Sequence, residues 1–363
     1  MSNLRKYAPE MRSFADARTG RRVIQLTGDN SENRATYAAL CPFDASEHYV
    51  VFASKRTGRW EIFRAEIQTG EIAQLSNREG VQWESHNVAP PGREVFYAAG
   101  REIWAVDVAT GEERRAVDAS AITSQPLRSY LTFDPQGRRV LIHYRPHAGG
   151  ADALAVAATD GSFIQPVFFR DEFMQHPRWV PHDERTASFA VHPDRQNDPN
   201  ETYERRARAW QLDLETGRAF PLLVMPPGWR CTHEFWAPDG SRIFAHKKHV
   251  PNWVPCSIVS VPKGGGEITT HYTDTRLKLG HSGAGPDGTW LITDVQEPND
   301  NPLLRIDLTA GRAEILCWPD AGISPDKSRY AAHCHPSVSP SGRWAVYTSD
   351  RSGIPAVYLV ELS

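Results

Sequence analysis

The chain is poor in the features that mark secreted, membrane-bound and nucleic-acid-binding proteins. Only five of its 363 residues are cysteine (Cys41, Cys231, Cys256, Cys317 and Cys334). The number is odd and no Cys-x-x-Cys pair occurs, which argues against a disulfide framework and fits a reducing cytoplasm. No apolar run reaches the about 18 residues that a membrane-spanning helix needs. The first residues, Met1-Ser2-Asn3-Leu4-Arg5-Lys6-Tyr7, lack the apolar core of a signal peptide, so a cytoplasmic location is expected. Lys and Arg total 41 against 44 Asp and Glu, a net charge of −3. With no basic stripe, nucleic acid is not an expected partner. Amphipathic patterns of ten or more residues at helical period are also missing, which excludes a parallel α/β sheet with crossover helices.

What the chain does contain is a repeat. Seven stretches share a proline, a tight turn and a hydrophobic run, anchored at Pro42, Pro90, Pro135, Pro181, Pro238, Pro286 and Pro340. The gaps between anchors are 48, 45, 46, 57, 48 and 54 residues, a period typical of propeller repeats. Within each unit, runs such as Val140-Leu141-Ile142 or Trp290-Leu291-Ile292 alternate with Gly, Pro, Asp and Asn punctuation. Such segments read as short antiparallel strands, four per unit. The expected fold is therefore all-β: a seven-bladed β-propeller forming a single domain over residues 1–363. The last unit ends at Val357-Tyr358-Leu359-Val360-Glu361-Leu362 without a fourth strand. A matching piece lies at the other end, in Thr19-Gly20-Arg21-Arg22-Val23-Ile24-Gln25-Leu26-Thr27, which resembles Thr69-Gly70-Glu71-Ile72-Ala73-Gln74-Leu75-Ser76. Residues 19–27 are expected to complete the last blade and so remove an open sheet edge.

The repeat carries a column of histidines. Five residues before each of the last five anchors stand Tyr130, His176, His233, His281 and His335. Histidine is 14 of 363 residues, so five positions would hold about 0.2 by composition (5 × 14/363), and they hold four. The column precedes the innermost strand of each blade, so imidazoles from different blades are expected to gather around one axis. In Ala332-His333-Cys334-His335-Pro336 an extended backbone turns His333 and His335 to one face and Cys334 to the other. With His281 from the preceding unit they form a candidate three-histidine site for a divalent metal. Imidazole suits Mn, Fe, Ni, Cu and Zn, and an all-histidine set with open positions suits catalysis. His233 shares the register one unit further back. A histidine near a metal but not on it is suited to general-base work, because its free pKa is about 6.5. Tyr130 and His176 complete the column as candidate substrate contacts, and Glu234 should face away as a structural residue. His86 lies four residues before Pro90 but five before Pro91, and Tyr37 lies five before Pro42 but ahead of a longer turn, so neither is counted as a clean member.

Several segments resemble the oligogalacturonate lyases (polysaccharide lyase family 22). The likeness covers nearly the whole chain. It is strongest in Cys-Thr-His-Glu-Phe-Trp-x-Pro-Asp-Gly at 231–240, in His-x-His-Pro-Ser at 333–337, and in the closing segment 347–358. The resemblance implies a seven-bladed propeller that binds manganese and cleaves short uronate oligosaccharides by β-elimination. By that likeness His233 is the base, His281, His333 and His335 are metal ligands, and Arg208 binds substrate, with Arg205 and Arg206 as alternative counterparts. Two departures stand out. The family places a ligand glutamine three residues before the first histidine of the pair, where this chain has Tyr330, a further candidate substrate contact, with water or substrate left to fill the ligand position. Gln296 lies elsewhere in the repeat and offers no obvious substitute. The family also has proline where Cys334 stands.

β-Elimination fits this residue set. The C5 proton of a uronate is acidic because charge left on removing it spreads onto the carboxylate, where a cation can stabilise it. No water is consumed, so no glycosidase-like carboxylate pair is needed, and none is seen in the column. Two other readings have footing. The Pro-Asp-Gly turns also resemble TolB-type repeats, which would imply a non-catalytic module binding a protein or peptide. Gly280-His281-Ser282-Gly283 brings a hydrolase nucleophile elbow to mind, but Ala284 stands where its second glycine belongs.

Overall fold

A computed structural model describes residues 4–28, 30–191, 198–297, 301–322 and 332–362. Tyr330 lies outside the described residues. Seven antiparallel sheets follow one another along the chain, and the fold is a seven-bladed β-propeller. Short helical turns at Trp83–Ser85 and Glu204–Arg206 are the helical elements among the described residues that bear on the sites below.

Two recurrent turns explain why this grammar folds as it does. The Pro-x-Gly turns connect the first and second strands of a blade. In the third blade Asp134 accepts the backbone N–H groups of Arg138 and Arg139, and Gly137 takes φ 68°, a conformation that glycine adopts without steric cost. Turns of the form Asp-x-x-Thr-Gly, or Asp-x-x-Ala-Gly at 307–311, connect the third and fourth strands. Asp107, Asp213 and Asp307 each accept two N–H groups two and three residues on, as Asx turns do. Asp16 makes the same pair of bonds to Arg18 and Thr19, so the N-terminal segment carries the same turn as the repeats.

That segment closes the last blade as expected. Arg22–Gln25 pairs antiparallel with Ala356–Glu361, with Val23 opposite Val360 and Ile24 opposite Leu359. The sheet is one strand larger than anticipated, because Arg12–Ala15 pairs on the outside of Arg22–Gln25. Likewise Lys6–Tyr7 adds a fifth strand to the first blade beside Ile72–Gln74.

The chain packs as two compact units, one of residues 1–97, 104–114 and 280–363, the other of residues 98–103 and 115–279. In the first unit, Phe43, Phe52 and Phe63 bury against Trp344, Val346 and Leu359. A neighbouring cluster joins Trp290, Ile292 and Leu303 to Tyr347 and Tyr358. The second unit has the same construction, with Trp179, Phe189 and Trp210 in one cluster and Trp236, Ile243 and Val259 in another. Each cluster lies between adjacent sheets, where alternate residues of two pleated surfaces interdigitate.

Candidate active site

The histidine column falls on a break in the innermost strands. In the strands Arg128–Phe133, Met174–Trp179 and Trp229–Trp236 the pairing register shifts between residues 128 and 132, 175 and 178, and 232 and 235. Ser129, His176 and His233 sit in these breaks with φ of 59°, 50° and 55°, and His335 has φ 45°. Left-handed backbone is uncommon for residues other than glycine and is held only where the surroundings impose it. A bulge of this kind re-aims one side chain out of the strict alternation of a strand. The column is therefore a set of aimed positions and not a simple face of the sheet.

In the first unit His281, His333 and His335 converge. One ring nitrogen of each lies within 4.8 Å of the others. His281 belongs to the strand Leu279–Ala284 and is buried, His335 is half-buried and His333 is exposed. Nε2 of His281 and Nε2 of His335 are 3.2 Å apart. Two neutral imidazole nitrogens at that separation can share only one proton, and a cation between the rings satisfies both lone pairs. His335 is kept neutral by burial first and by the neighbouring His281 second, which push its pKa well below the ordinary value. Cys334 points the other way into the core beside Cys317 and Tyr347, and its thiol is pushed well up by burial. It is not placed as a ligand. The opposed facing of Cys334 and its two histidine neighbours matches the sequence expectation.

Two supporting residues were not singled out from the sequence. Asp294 is 3% exposed. Its Oδ1 accepts the backbone N–H of His281 at 2.6 Å, and its Oδ2 lies 3.2 Å from His281 Nδ1 and 3.3 Å from the backbone N of His335. Burial alone would raise its pKa, but its electrostatic interaction and hydrogen bonds with His281 outweigh this and hold it well below the usual carboxylate range. A carboxylate on Nδ1 fixes the tautomer whose Nε2 lone pair can serve as a metal donor. Tyr37, set aside because its turn is irregular, packs its ring 4.7 Å from that of His335 and 5.6 Å from that of His281. A signal existed for both. Tyr37 is five residues before Pro42, and Asp294 lies near the end of a strand whose neighbour carries His281.

Gln296 also sits here. Its amide nitrogen is 3.5 Å from His333 Nδ1. Gly280 makes room for it, since a Cβ at 280 would lie 2.7 Å from Gln296 Cγ and 2.9 Å from its Cδ, besides striking Asp294 Oδ1. Three imidazoles, a buried carboxylate behind them and a glycine clearing the space fit a divalent cation with affinity for nitrogen and oxygen donors.

In the second unit His233 is half-buried. Its ring lies edge to face with buried His246, centroids 5.6 Å apart, and its Nδ1 is 3.4 Å from Thr232 Oγ1. Glu234 faces the opposite way, as expected, and anchors a buried charge cluster. Arg208 Nε meets Glu234 Oε1 at 2.5 Å, and His176 Nδ1 meets Glu234 Oε2 at 3.0 Å. Arg208 also donates to Val191 O at 2.8 Å and to Gln175 Oε1 at 3.3 Å, and its side chain is 3% exposed. Burial pushes the His176 pKa down to about 4 against the opposing pull of Glu234. Tyr130 stacks on His176 at 6.2 Å between centroids and is 3% exposed, so it backs His176 and shows no open face. Arg205 pairs with Glu201 at 3.0 Å on the surface, and Arg206 reaches the carbonyl of Met225 at 3.4 Å. His86 is fully buried, with Nδ1 2.6 Å from the carbonyl of Trp83, and belongs to the core.

No protein-family model matches the chain. Curated relatives do. The oligogalacturonate lyase of Dickeya dadantii is 21% identical over 404 aligned positions, covering 100% of this chain and 98% of that protein. The oligogalacturonide lyase of Pectobacterium atrosepticum is 22% identical, covering 96% and 95%. Over nearly its whole length the chain is similar to these two lyases. A solved oligogalacturonate lyase in complex with manganese superposes with a TM-score of 0.88 at 20% identity, covering 100% of this chain and 99% of that one. That similarity carries the propeller fold. The converging histidines are a feature of this chain's own structure.

Proposed function

We propose that this protein is a metal-dependent lyase that cleaves short oligogalacturonate-like uronides by β-elimination. The observation that carries the proposal is the convergence of three imidazoles, from two blades, with ligand atoms within 4.8 Å of one another, in a chain homologous from end to end to oligogalacturonate lyases. His281, His333 and His335 would hold the cation, and manganese is the favoured identity. When bound, a divalent cation supplies positive charge to the uronate carboxylate as negative charge builds there on loss of the C5 proton.

The remaining work belongs to side chains. Nε2 of His233 takes the C5 proton, with Nδ1 directed to Thr232 Oγ1. A positioned base of this kind is typically worth about 10²–10⁴-fold. The C5–H electron pair forms the C4–C5 double bond, the C4–O bond breaks, and the leaving oxygen takes up a proton. The products are a shortened uronide and a 4,5-unsaturated sugar. For Arg208 the buried pair favours a positioning role, in which it holds Glu234 and through it His176, over a direct two-point grip on substrate. The substrate is an oligouronide, with neither nucleic acid nor membrane as a partner, and the cytoplasm remains the proposed location.

The test is a screen of short oligouronides, with manganese and then with chelator, read as ultraviolet absorbance of the new double bond. His233→Ala should keep the fold and the bound metal and lose product formation. Full activity in that variant removes the base assignment. Absence of product from every oligouronide in the presence of manganese removes the lyase reading and leaves a binding module.

A further inference from the structure

Gln296 directly follows the strand Trp290–Val295 and stands two residues after Asp294. In a strand that spacing puts two side chains on one face. Asp294 meets His281, and Gln296 reaches His333. Both side chains fold across Gly280, whose missing Cβ is what admits them. The amide of Gln296 is thus held against His333, although 37 residues of sequence separate the two.

The contact has a chemical meaning. A hydrogen bond from the amide N–H to Nδ1 of His333 occupies a ring lone pair, much as a proton or a cation would. Half a turn about the last side-chain torsion brings the amide oxygen to the same place. That oxygen is a neutral, hard donor of the kind that manganese and other oxygen-loving divalent ions accept beside imidazole. From this placement we infer that Gln296 is a fourth protein donor to the cation held by His281, His333 and His335, through its side-chain oxygen. The inference rests on the metal-binding reading above and adds to it a ligand that no histidine pattern discloses. Gly280 then has a defined part, as the position that must stay bare for the fourth donor to reach the site.

The test uses the full chain, manganese alone and two readouts that do not depend on catalysis. Calorimetric titration of the chelated protein gives the affinity of the parent, of Gln296→Leu and of His281→Ala. A crystal structure of the manganese-loaded parent, with the metal located by its anomalous signal, gives the distance to Gln296 Oε1. The expected result is at least tenfold weaker binding in Gln296→Leu, together with Oε1 between about 2.0 and 2.6 Å from the metal, the range of oxygen ligands on divalent ions. Affinity within threefold of the parent overturns the inference and leaves the three-histidine site standing. Weakened binding with Oε1 beyond about 3 Å also overturns it, since Gln296 would then act only by orienting His333. If neither the parent nor His281→Ala binds manganese, the metal reading itself has failed, and the inference falls with it.

Discussion

Asp294→Asn is the sharpest perturbation of the histidine cluster, because it changes one atom and leaves the shape intact. The buried carboxylate meets three nitrogens, His281 N at 2.6 Å, His281 Nδ1 at 3.2 Å and His335 N at 3.3 Å. Asparagine keeps one accepting oxygen and turns a donor toward the rest, so at least one bond to a charged acceptor is lost. Such bonds are worth about 1.5–3 kcal/mol each. The metal-free variant should therefore unfold about 2–3 kcal/mol more easily in urea. Its effect on the metal should be separate and comparable. Carboxylates that orient a ligating histidine contribute about 10–100-fold in affinity, or about 1.4–2.8 kcal/mol at 1.4 kcal/mol per tenfold. Calorimetric titration with manganese, beside urea unfolding with and without the ion, reads both numbers. The reasoning is refuted if the variant loses stability yet binds manganese within threefold of the parent. In that case Asp294 serves the fold and does not aim His281.

Further outcomes follow from the same geometry. Glu234→Ala strands a buried Arg208, and breaking a buried pair by removing one partner costs about 3–5 kcal/mol. A midpoint of thermal unfolding unchanged from the parent would contradict the buried cluster. Gly280→Ala should lower stability by about 1–3 kcal/mol through overcrowding and weaken manganese binding as well, measured by the same titration. Burial pushes His86 down to about 4, and His176 also to about 4. Both stay neutral in the fold while the unfolded chain takes up protons below about 6.5. The stability they confer is complete above pH 6.5 and is lost as pH falls toward 4, at up to about 1.4 kcal/mol per pH unit for each histidine. Urea unfolding across that window should show a shallower slope in His86→Phe than in the parent, and an identical slope would remove His86 as a cause.

The repeat, the blade count and the closing strand were legible because each rests on short-range chemistry. Proline and glycine at turns, aspartate two and three residues before free N–H groups, and alternating apolar residues all write themselves into neighbouring positions. The extra outer strands Lys6–Tyr7 and Arg12–Ala15 were not legible. Their partners lie 65–67 and 7–13 residues away, and their polar, half-exposed faces carry no clear alternation. The site was legible as a column, since four histidines share a register. Its geometry was not, because His176, His233 and His335 take left-handed backbone, which no period-two reading anticipates. Gln296 was passed over for the same reason that Asp294 went unnoticed. Proximity to His333 or His281 comes from the pairing of strands and the bare Cα of Gly280, and neither shows as a motif.

The central claim is that the three-histidine cluster holds a cation on which elimination depends. The direct measurement is the rate of unsaturated-product formation from a short oligogalacturonate by fully chelated protein as manganese is titrated back. Expected are no rate at the start, a rise that saturates at one ion per chain, and neither binding nor rate in His335→Ala. Product forming equally fast in the chelated protein, or undiminished in His335→Ala, would contradict it.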